Sequence, residues 1–172
     1  MDDFFKSIER PAYRMAHIAC SNRDDALDLV QDSMCKFVDK YSNKPPEEWK
    51  ALFYRTLQNK IRDYYRKHAI RSRWQDWFSN DREDGVDPLA ALAVDQDRNP
   101  EQKVEQQQAL GQLETALRQL SLKQQQIFLL RTWQGLSTRE AAHAMGCSEG
   151  TVKTQLSRAS ARLKGKLGDD WP

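Results

Sequence analysis

Between Ser137 and Ser148 this chain of 172 residues carries a helix start, a helix stop and a second helix start. Ser137 with Glu140 three residues on is a capping box. Gly146 supplies the left-handed backbone on which helices often end, and Ser148 is a good cap for the next one. A segment punctuated this way folds as two short helices about a tight turn. Ala141, Ala142 and Met145 give the first an apolar face. In the second, Val152, Leu156, Ala159, Leu163 and Leu167 recur at spacings of three to four and mark a buried stripe. Thr154, Ser157, Arg158 and Ala161 point the opposite way, with Lys153 and Gln155 on the flanks. That outward set is nearly free of acids. Its donors and acceptors match the major groove, where Arg and Lys read guanine and Gln reads adenine. An ordinary amphipathic hairpin with a wet outer face has the same local pattern, so the rest of the chain has to decide between them.

The remaining periodicities are helical too. Phe4, Phe5, Ile8, Ala12, Met15 and Ala19 mark a first helix, which Pro11 kinks or breaks. Asn22 caps a second, with Asp24 and Asp25 in its first turn, where the helix dipole favours acids. Its apolar stripe is Ala26, Leu29, Val30, Ser33, Met34, Phe37, Val38 and Tyr41, and Asp25, Asp28 and Asp32 lie on its other side beside Gln31. After a polar loop, Pro46, Glu47 and Glu48 open a third helix. Trp49, Leu52, Phe53, Thr56, Leu57, Ile61, Tyr64, Tyr65 and His68 line one side of it. Arg55, Asn59, Arg62, Asp63, Arg66 and Lys67 line the other. Residues 1–73 thus read as one helical bundle. Residues 74–100 lose periodicity, hold Gly85, Pro88 and Pro100, and read as an acidic linker, in which a Trp74, Trp77 and Phe78 cluster is expected to pack back on the bundle or to dock on a partner. A second unit, 101–168, opens with a stripe at Val104, Leu110, Leu113, Leu117 and Leu120. Ser121 with Gln124 then begins a helix that runs through Trp133 and stops at Gly135. The fold class expected is all-α: two small helical domains joined by an acidic linker.

Charge is distributed in blocks. The net charge is only +2, but residues 1–40 carry −2, 41–73 carry +6, 74–120 carry −6 and 121–172 carry +4. Two basic blocks either side of an acidic one point to two phosphate-facing surfaces joined by a segment that avoids or imitates them. No stretch approaches the roughly 18 apolar residues that cross a bilayer, and the Met1–Lys6 opening is not a secretory signal. The expected location is the cytosol. Cys20, Cys35 and Cys147 lack a framework spacing and read as reduced, buried or half-buried thiols. His17 and Cys20 share a helix face, but no further ligand completes a metal site. No metal or cofactor is expected.

From Tyr54 to Arg73, arginines and lysines interleave with tyrosines. Basic groups track a backbone, while rings stack on or wedge between exposed bases. With a helix-turn-helix downstream, that face is better read as nucleic-acid binding than as solvated charge around core tyrosines. Three motifs in order then resemble a known family: Asp24-Asp25-Ala26-Leu27-Asp28-Leu29-Val30-Gln31-Asp32; Leu52-Phe53-Tyr54-Arg55 through Asn59 and Asp63-Tyr64; and Gly150-Thr151-Val152-Lys153-Thr154-Gln155-Leu156-Ser157-Arg158-Ala159. The chain resembles the small two-domain sigma factors of bacterial RNA polymerase, of the extracytoplasmic-function (ECF) type, over residues 4–73 and 101–167.

The resemblance implies a region 2-like bundle, a region 4-like helix-turn-helix domain and a promoter-specificity role without catalysis. It implies that Asp25, Asp28, Leu29, Gln31 and Asp32 dock on the clamp helices of the polymerase largest subunit. The loop Tyr41 to Trp49 and the third helix would meet the −10 element and capture a flipped base, with Asn59, Arg62, Asp63, Arg66 and Lys67 facing DNA. Lys153, Thr154, Gln155, Ser157 and Arg158 would read the −35 element. An anti-sigma partner is implied as well, in many relatives tied to the inner membrane; the chain itself is not expected to insert there. Leu52-Phe53 replaces a common Trp-Leu, Leu57-Gln58 a common Ala-Arg, and Gln155 and Ser160 stand where a basic residue is frequent. Two other readings are weaker. A stand-alone helix-turn-helix regulator leaves the acidic second helix without a purpose. A nuclease built on Asp24, Asp25 and Asp28 has no histidine or lysine near those acids to work with them.

Overall fold

Five helices of this chain, those opening at Asn22, Pro46, Ser121, Ser137 and Ser148, start where a side chain or a proline deals with backbone donors that the helix cannot use. The computed structural model describes residues 1–75 and 110–168, with side chains through residue 68 and again from residue 110. Every regular element among the described residues is helical. Helix α1 runs Asp2–Cys20 with Asp2 and Asp3 in its first turn. It passes through Pro11 without a break, so of the two outcomes expected there, a kink or a break, the break does not occur. The ladder bond that Pro11 cannot donate is offset by burial on both sides, at Ile8, Ala12 and Met15. Ser21 ends α1 in the left-handed region, at φ 55°, with its N–H donating to the His17 carbonyl at 2.8 Å.

Asn22 turns the chain directly into α2, Arg23–Tyr41, its side-chain oxygen accepting from the Asp25 N–H at 3.0 Å. The buried face of α2 is Ala26, Leu29, Val30, Ser33 and Phe37. Val38, expected in the stripe, is 39% exposed: Phe37 takes the core position, and its neighbour is turned about 100° away. Helix α3, Pro46–Gln75, opens on Pro46, Glu47 and Glu48; at about 1.5 Å per residue it is roughly 45 Å long. The three helices close at one end on an aromatic cluster centred on buried Phe37. Phe4, Phe5, Trp49 and Phe53 surround it with ring centroids 5.6, 5.9, 6.3 and 6.1 Å away.

The second unit begins with a helix whose described part is 110–118, here α4, with Leu113 and Leu117 buried. The expected linker beyond residue 75, its Trp77 and Phe78, the Trp74 side chain and Val104 lie outside the described residues. Ser121 caps α5, Leu122–Phe128, by accepting from the Gln124 N–H. The Gln124 side chain does not complete the box; it accepts from Arg162 at 3.1 Å. The single helix expected through Trp133 is in fact α5 followed by a π turn, Leu129–Trp133, before Gly135 at φ 63°. Helix α6, Thr138–Met145, has the full capping box: the Glu140 N–H donates to Ser137 Oγ at 3.2 Å, and the Ser137 N–H donates to the Glu140 carboxylate at 2.7 Å. Gly146 follows at φ 64°, and Ser148 caps α7, Glu149–Leu167.

The two units share a seam. Buried residues of both belong to one continuous core, from Ile8, Phe37 and Leu57 to Leu117, Ile127, Leu130 and Leu163. The middle of α3 lies along α6, and α1 meets α5. No helix among the described residues is long and apolar enough to cross a membrane.

Candidate nucleic-acid interface

Helix α7 presents the outward face expected of it. Val152, Ala159 and Leu163 are buried under the hairpin, while Lys153, Thr154, Ser157 and Arg158 are exposed and Gln155 is half-buried. The hairpin that carries them is held at its caps. Glu140 is kept below the usual carboxylate range, first by the Ser137 hydroxyl and then by the Ser137 backbone N–H. It therefore stays ionised as a cap.

On α3, Asn59, Arg62, Asp63, Arg66 and Lys67 are all exposed. Their charges are held by near neighbours on the same helix: Arg62 donates to Asn59 Oδ1 at 2.5 Å, and Arg66 lies 3.1 Å from Asp63. Exposed pairs of this kind are worth about 0–1 kcal/mol, so a phosphate can displace them. Two tyrosines sit beside this face and tie it to the bundle. The Tyr64 hydroxyl donates to Asp25 Oδ2 at 2.9 Å and the Tyr65 hydroxyl to the Ala19 carbonyl at 2.6 Å. Burial, then the Asp25 bond, pushes the Tyr64 phenol well up from its ordinary value. Burial does the same for Tyr65. Both remain neutral donors.

The acidic face of α2 is smaller than expected. Asp28, Gln31 and Asp32 are exposed along one side, with Asp32 paired to Lys60 at 2.8 Å. Leu29 is not on that side: at 8% exposure it faces the bundle core, since it falls on the same stripe as Ala26, Val30 and Phe37. In this chain its side chain packs in the bundle. Asp25 is half-buried and occupied by Tyr64. The loop before α3 is fixed by Trp49, whose indole N–H donates to the Lys44 carbonyl at 2.7 Å. Among the thiols, Cys20 and Cys147 are half-buried and Cys35 is exposed, so the expectation that all three are sheltered fails at Cys35. His17 stacks on Tyr13 at 5.7 Å.

Sequence reasoning missed the residues of the seam. Tyr54 is fully buried and donates from its hydroxyl to Gln134 Oε1 at 2.6 Å; Lys50 donates to the Gln134 carbonyl at 2.5 Å. Gln58 Nε2 donates to Gln126 Oε1 at 2.8 Å, and Gln126 Nε2 donates to Gln125 Oε1 at 2.9 Å. Gln125 Nε2 in turn donates to the Leu117 carbonyl at 3.1 Å. Arg55 Nη1 is 2.6 Å from His143 Nε2, and Arg14 lies over the Trp133 ring, 5.6 Å from its centroid. The available signal was three consecutive glutamines beside Ile127 and Phe128, a helix with no wet side.

Comparison with known proteins agrees with this architecture. Sigma-70 region 2 matches residues 4–71 and Sigma-70, region 4 matches residues 110–163. The RNA polymerase sigma-E factor of Streptomyces antibioticus is 32% identical over 143 residues, covering 83% of this chain and 71% of that protein. The RNA polymerase sigma factor SigV of Bacillus subtilis is 30% identical over 156 residues, covering 90% and 83%. Among solved structures, the sigma factor RpoE of Bartonella quintana, in complex with the anti-sigma factor NepR, superposes with a TM-score of 0.73 at 28% identity, covering 99% of each chain. The chain belongs to the sigma-70 family and is a bacterial ECF-type sigma factor, which directs RNA polymerase to promoters.

Proposed function

We propose that the three exposed polar faces divide the sigma factor's work in chain order. Asp28, Gln31 and Asp32 on α2 dock on the clamp helices of the polymerase largest subunit, with Leu29 and Asp25 shaping that helix from beneath. On α3, Asn59, Arg62, Asp63, Arg66 and Lys67 follow the −10 strand. The Tyr41–Trp49 loop, braced on the aromatic cluster, takes a base out of the stack. On α7, Lys153, Thr154, Gln155, Ser157 and Arg158 read the −35 duplex. Residues 1–73 then serve polymerase and the −10 element, residues 101–168 serve the −35 element, and 74–100 connect them. The observation that carries this reading is that α2, α3 and α7 each keep one polar face exposed, while their other faces are consumed by packing.

Unstacking bases costs a few kcal/mol; the cations of α3 and the captured base offset it. The protein contributes binding energy and position and no bond-making group. It works in the cytoplasm. An anti-sigma partner, supported by the likeness to RpoE solved with NepR, holds it inactive, and a membrane-anchored partner would keep that pool at the inner membrane. Transcription in vitro from a matched promoter with core polymerase tests the reading. Initiation should require this protein, and reversing charge at Asp28 and Asp32 together should abolish it. Arg158→Ala should cost about 1–3 kcal/mol at a single −35 position. Initiation that persists without the protein, or survives the charge reversal, rejects the assignment.

A further inference from the structure

Helix α3 outruns the bundle it belongs to. Among its described side chains Ile61 is the last one buried, and from Arg62 to His68 only Tyr64 is half-buried. Apolar packing therefore fixes the axis of α3 as far as Ile61, while Arg62, Asp63, Arg66 and Lys67 stand beyond that support. Lys67 lies about 9 Å further along the axis, at about 1.5 Å per residue. A tilt of about 10° at Ile61 would carry it about 1.5 Å sideways, enough to break a hydrogen bond to a phosphate.

Neighbouring phenols hold this stretch. Among the described residues, the hydrogen bonds that leave α3 beyond Ile61 for another helix run from Tyr64 to Asp25 Oδ2 at 2.9 Å and from Tyr65 to the Ala19 carbonyl at 2.6 Å. Both end on the turn between α1 and α2, and that turn is stiff. The Ser21 N–H closes α1 on the His17 carbonyl, and Asn22 caps α2 by accepting from the Asp25 N–H. The Cys20 thiol donates to the Asn22 carbonyl at 3.2 Å. The Ala19 carbonyl belongs to the last turn of α1, whose acceptors have no partner within the helix, so Tyr65 supplies a donor that the helix end lacks. Asp25 precedes Asp28 by one turn on the same side of α2. The turn that receives the phenols thus leads straight into the acidic face. Phenylalanine would fill the same space as either ring; what tyrosine adds is the tie.

We infer that Tyr64 and Tyr65 are positioning residues for strand opening: their hydroxyls, seated on Asp25 and on the Ala19 carbonyl, fix the angle at which the −10 face of α3 leaves the bundle relative to the docking face of α2. Polymerase holds one face and the promoter meets the other, so an error in that angle falls on the step that has to satisfy both. The inference rests on the assignment of those two faces above. Arg66→Ala with Lys67→Ala tests the face itself, whereas loss of the hydroxyls tests its angle, so the two fail separately.

Full-length Tyr64→Phe, Tyr65→Phe and the double variant, which keep their rings, are each assembled with saturating core polymerase. Opening of a duplex promoter is followed by permanganate reactivity of unpaired thymines. Each single change should slow opening about fivefold, the size of one ordinary hydrogen bond, and the double change should slow it further. Affinity for core polymerase, measured without DNA, should stay at the wild-type value. On a template whose −10 segment is already unpaired the variants should initiate like wild type, because a free strand can follow a displaced face and a duplex cannot. Wild-type opening rates in the tyrosine variants, where Arg66→Ala with Lys67→Ala does slow opening, overturn the positioning role. So does a loss that persists in full on the unpaired template, or a loss of polymerase affinity. Wild-type opening in Arg66→Ala with Lys67→Ala rejects the −10 face and the inference with it. A second arm tests the tie. Asp25→Ala should slow opening alone yet add nothing to Tyr64→Phe, since partners in one bond are not additive. Asp25→Asn, which keeps an oxygen acceptor, should recover most of the rate. Additive losses from Asp25→Ala and Tyr64→Phe overturn the claim that they act through each other.

Discussion

The interior of the α1–α3 bundle and the seam between the two units are both buried, yet they are built from opposite chemistry. Inside the bundle, Phe37 and Phe53 sit at 0% exposure among Phe4, Phe5 and Trp49. The four phenylalanine rings there have no group that can bond to water if exposed. At the seam, five polar side chains take the central places and each can be satisfied by solvent. The first surface is permanent because exposing it is always unfavourable. The second is conditional, because its opening exchanges one set of hydrogen bonds for another.

The comparison breaks most visibly at Phe37. Phe37→Ala removes the ring that every helix of the bundle touches, and large-to-small changes of this kind cost about 3–5 kcal/mol. Urea unfolding followed by helicity should show the loss in the N-terminal unit. A loss below about 1 kcal/mol would mean that the cluster is loosely packed and the contrast with the seam is false. Tyr54→Phe is the matching change at the seam. It keeps the ring, deletes one hydroxyl and strands Gln134 Oε1, for a cost of about 1–3 kcal/mol. That cost should appear as loss of coupling between the units: one thermal transition resolving into two, with neither unit unfolded at 25 °C. A single transition shifted as a whole would make the seam part of the core.

Much of this was legible in the sequence, and the part that was not has a physical reason. Asn22, Pro46, Ser137, Gly146 and Ser148 announce helix ends through local chemistry, and the structure puts ends at each of them. The outward residues of α7 follow from period alone. Leu29 faces the core while Asp28 faces out, because a family motif names consecutive residues, whereas a helix turns about 100° between neighbours and sends them to different faces. Beyond the run of glutamines at 124–126, the seam could not be read, because a buried glutamine looks like a surface glutamine until its partner, 68 positions away at Gln58–Gln126, is known. The π turn is equally silent, since it adds no residue type that α-helices avoid.

A smaller effect separates the hairpin from both buried regions. Ser148→Ala removes the acceptor of the Thr151 N–H, which Ser148 Oγ meets at 3.1 Å. Lost caps cost about 1 kcal/mol. The effect should be confined to the first turn of α7, seen as faster amide exchange at Thr151 and Val152 and weaker −35 binding. The seam distances should stay unchanged. Spread of the effect to Gln134 or Tyr54 would show that hairpin and seam fold as one unit.

The smallest effect is the acid response of the seam at His143. Burial, then the nearby Arg55 guanidinium, lowers the His143 pKa from its ordinary value, and Glu48 opposes this only in part. Arg55 donates to the neutral ring across the seam. The closed state therefore binds the proton less readily than the open one, in which the ring returns toward a pKa near 6.5. Linkage fixes the sign. The contribution of this contact is complete above the open-state pKa and is lost as pH falls below it toward the closed-state value. Following the distance between fluorophores at Cys35 and Ala161→Cys, with Cys20→Ser and Cys147→Ser, from pH 7.5 to 5.5 should show a modest rise in the open fraction, absent in His143→Gln, which has no proton to take up. A rise on going to alkaline pH, or an equal acid response in the glutamine variant, would remove His143 from the seam's energetics and leave the amide and hydroxyl contacts to act alone.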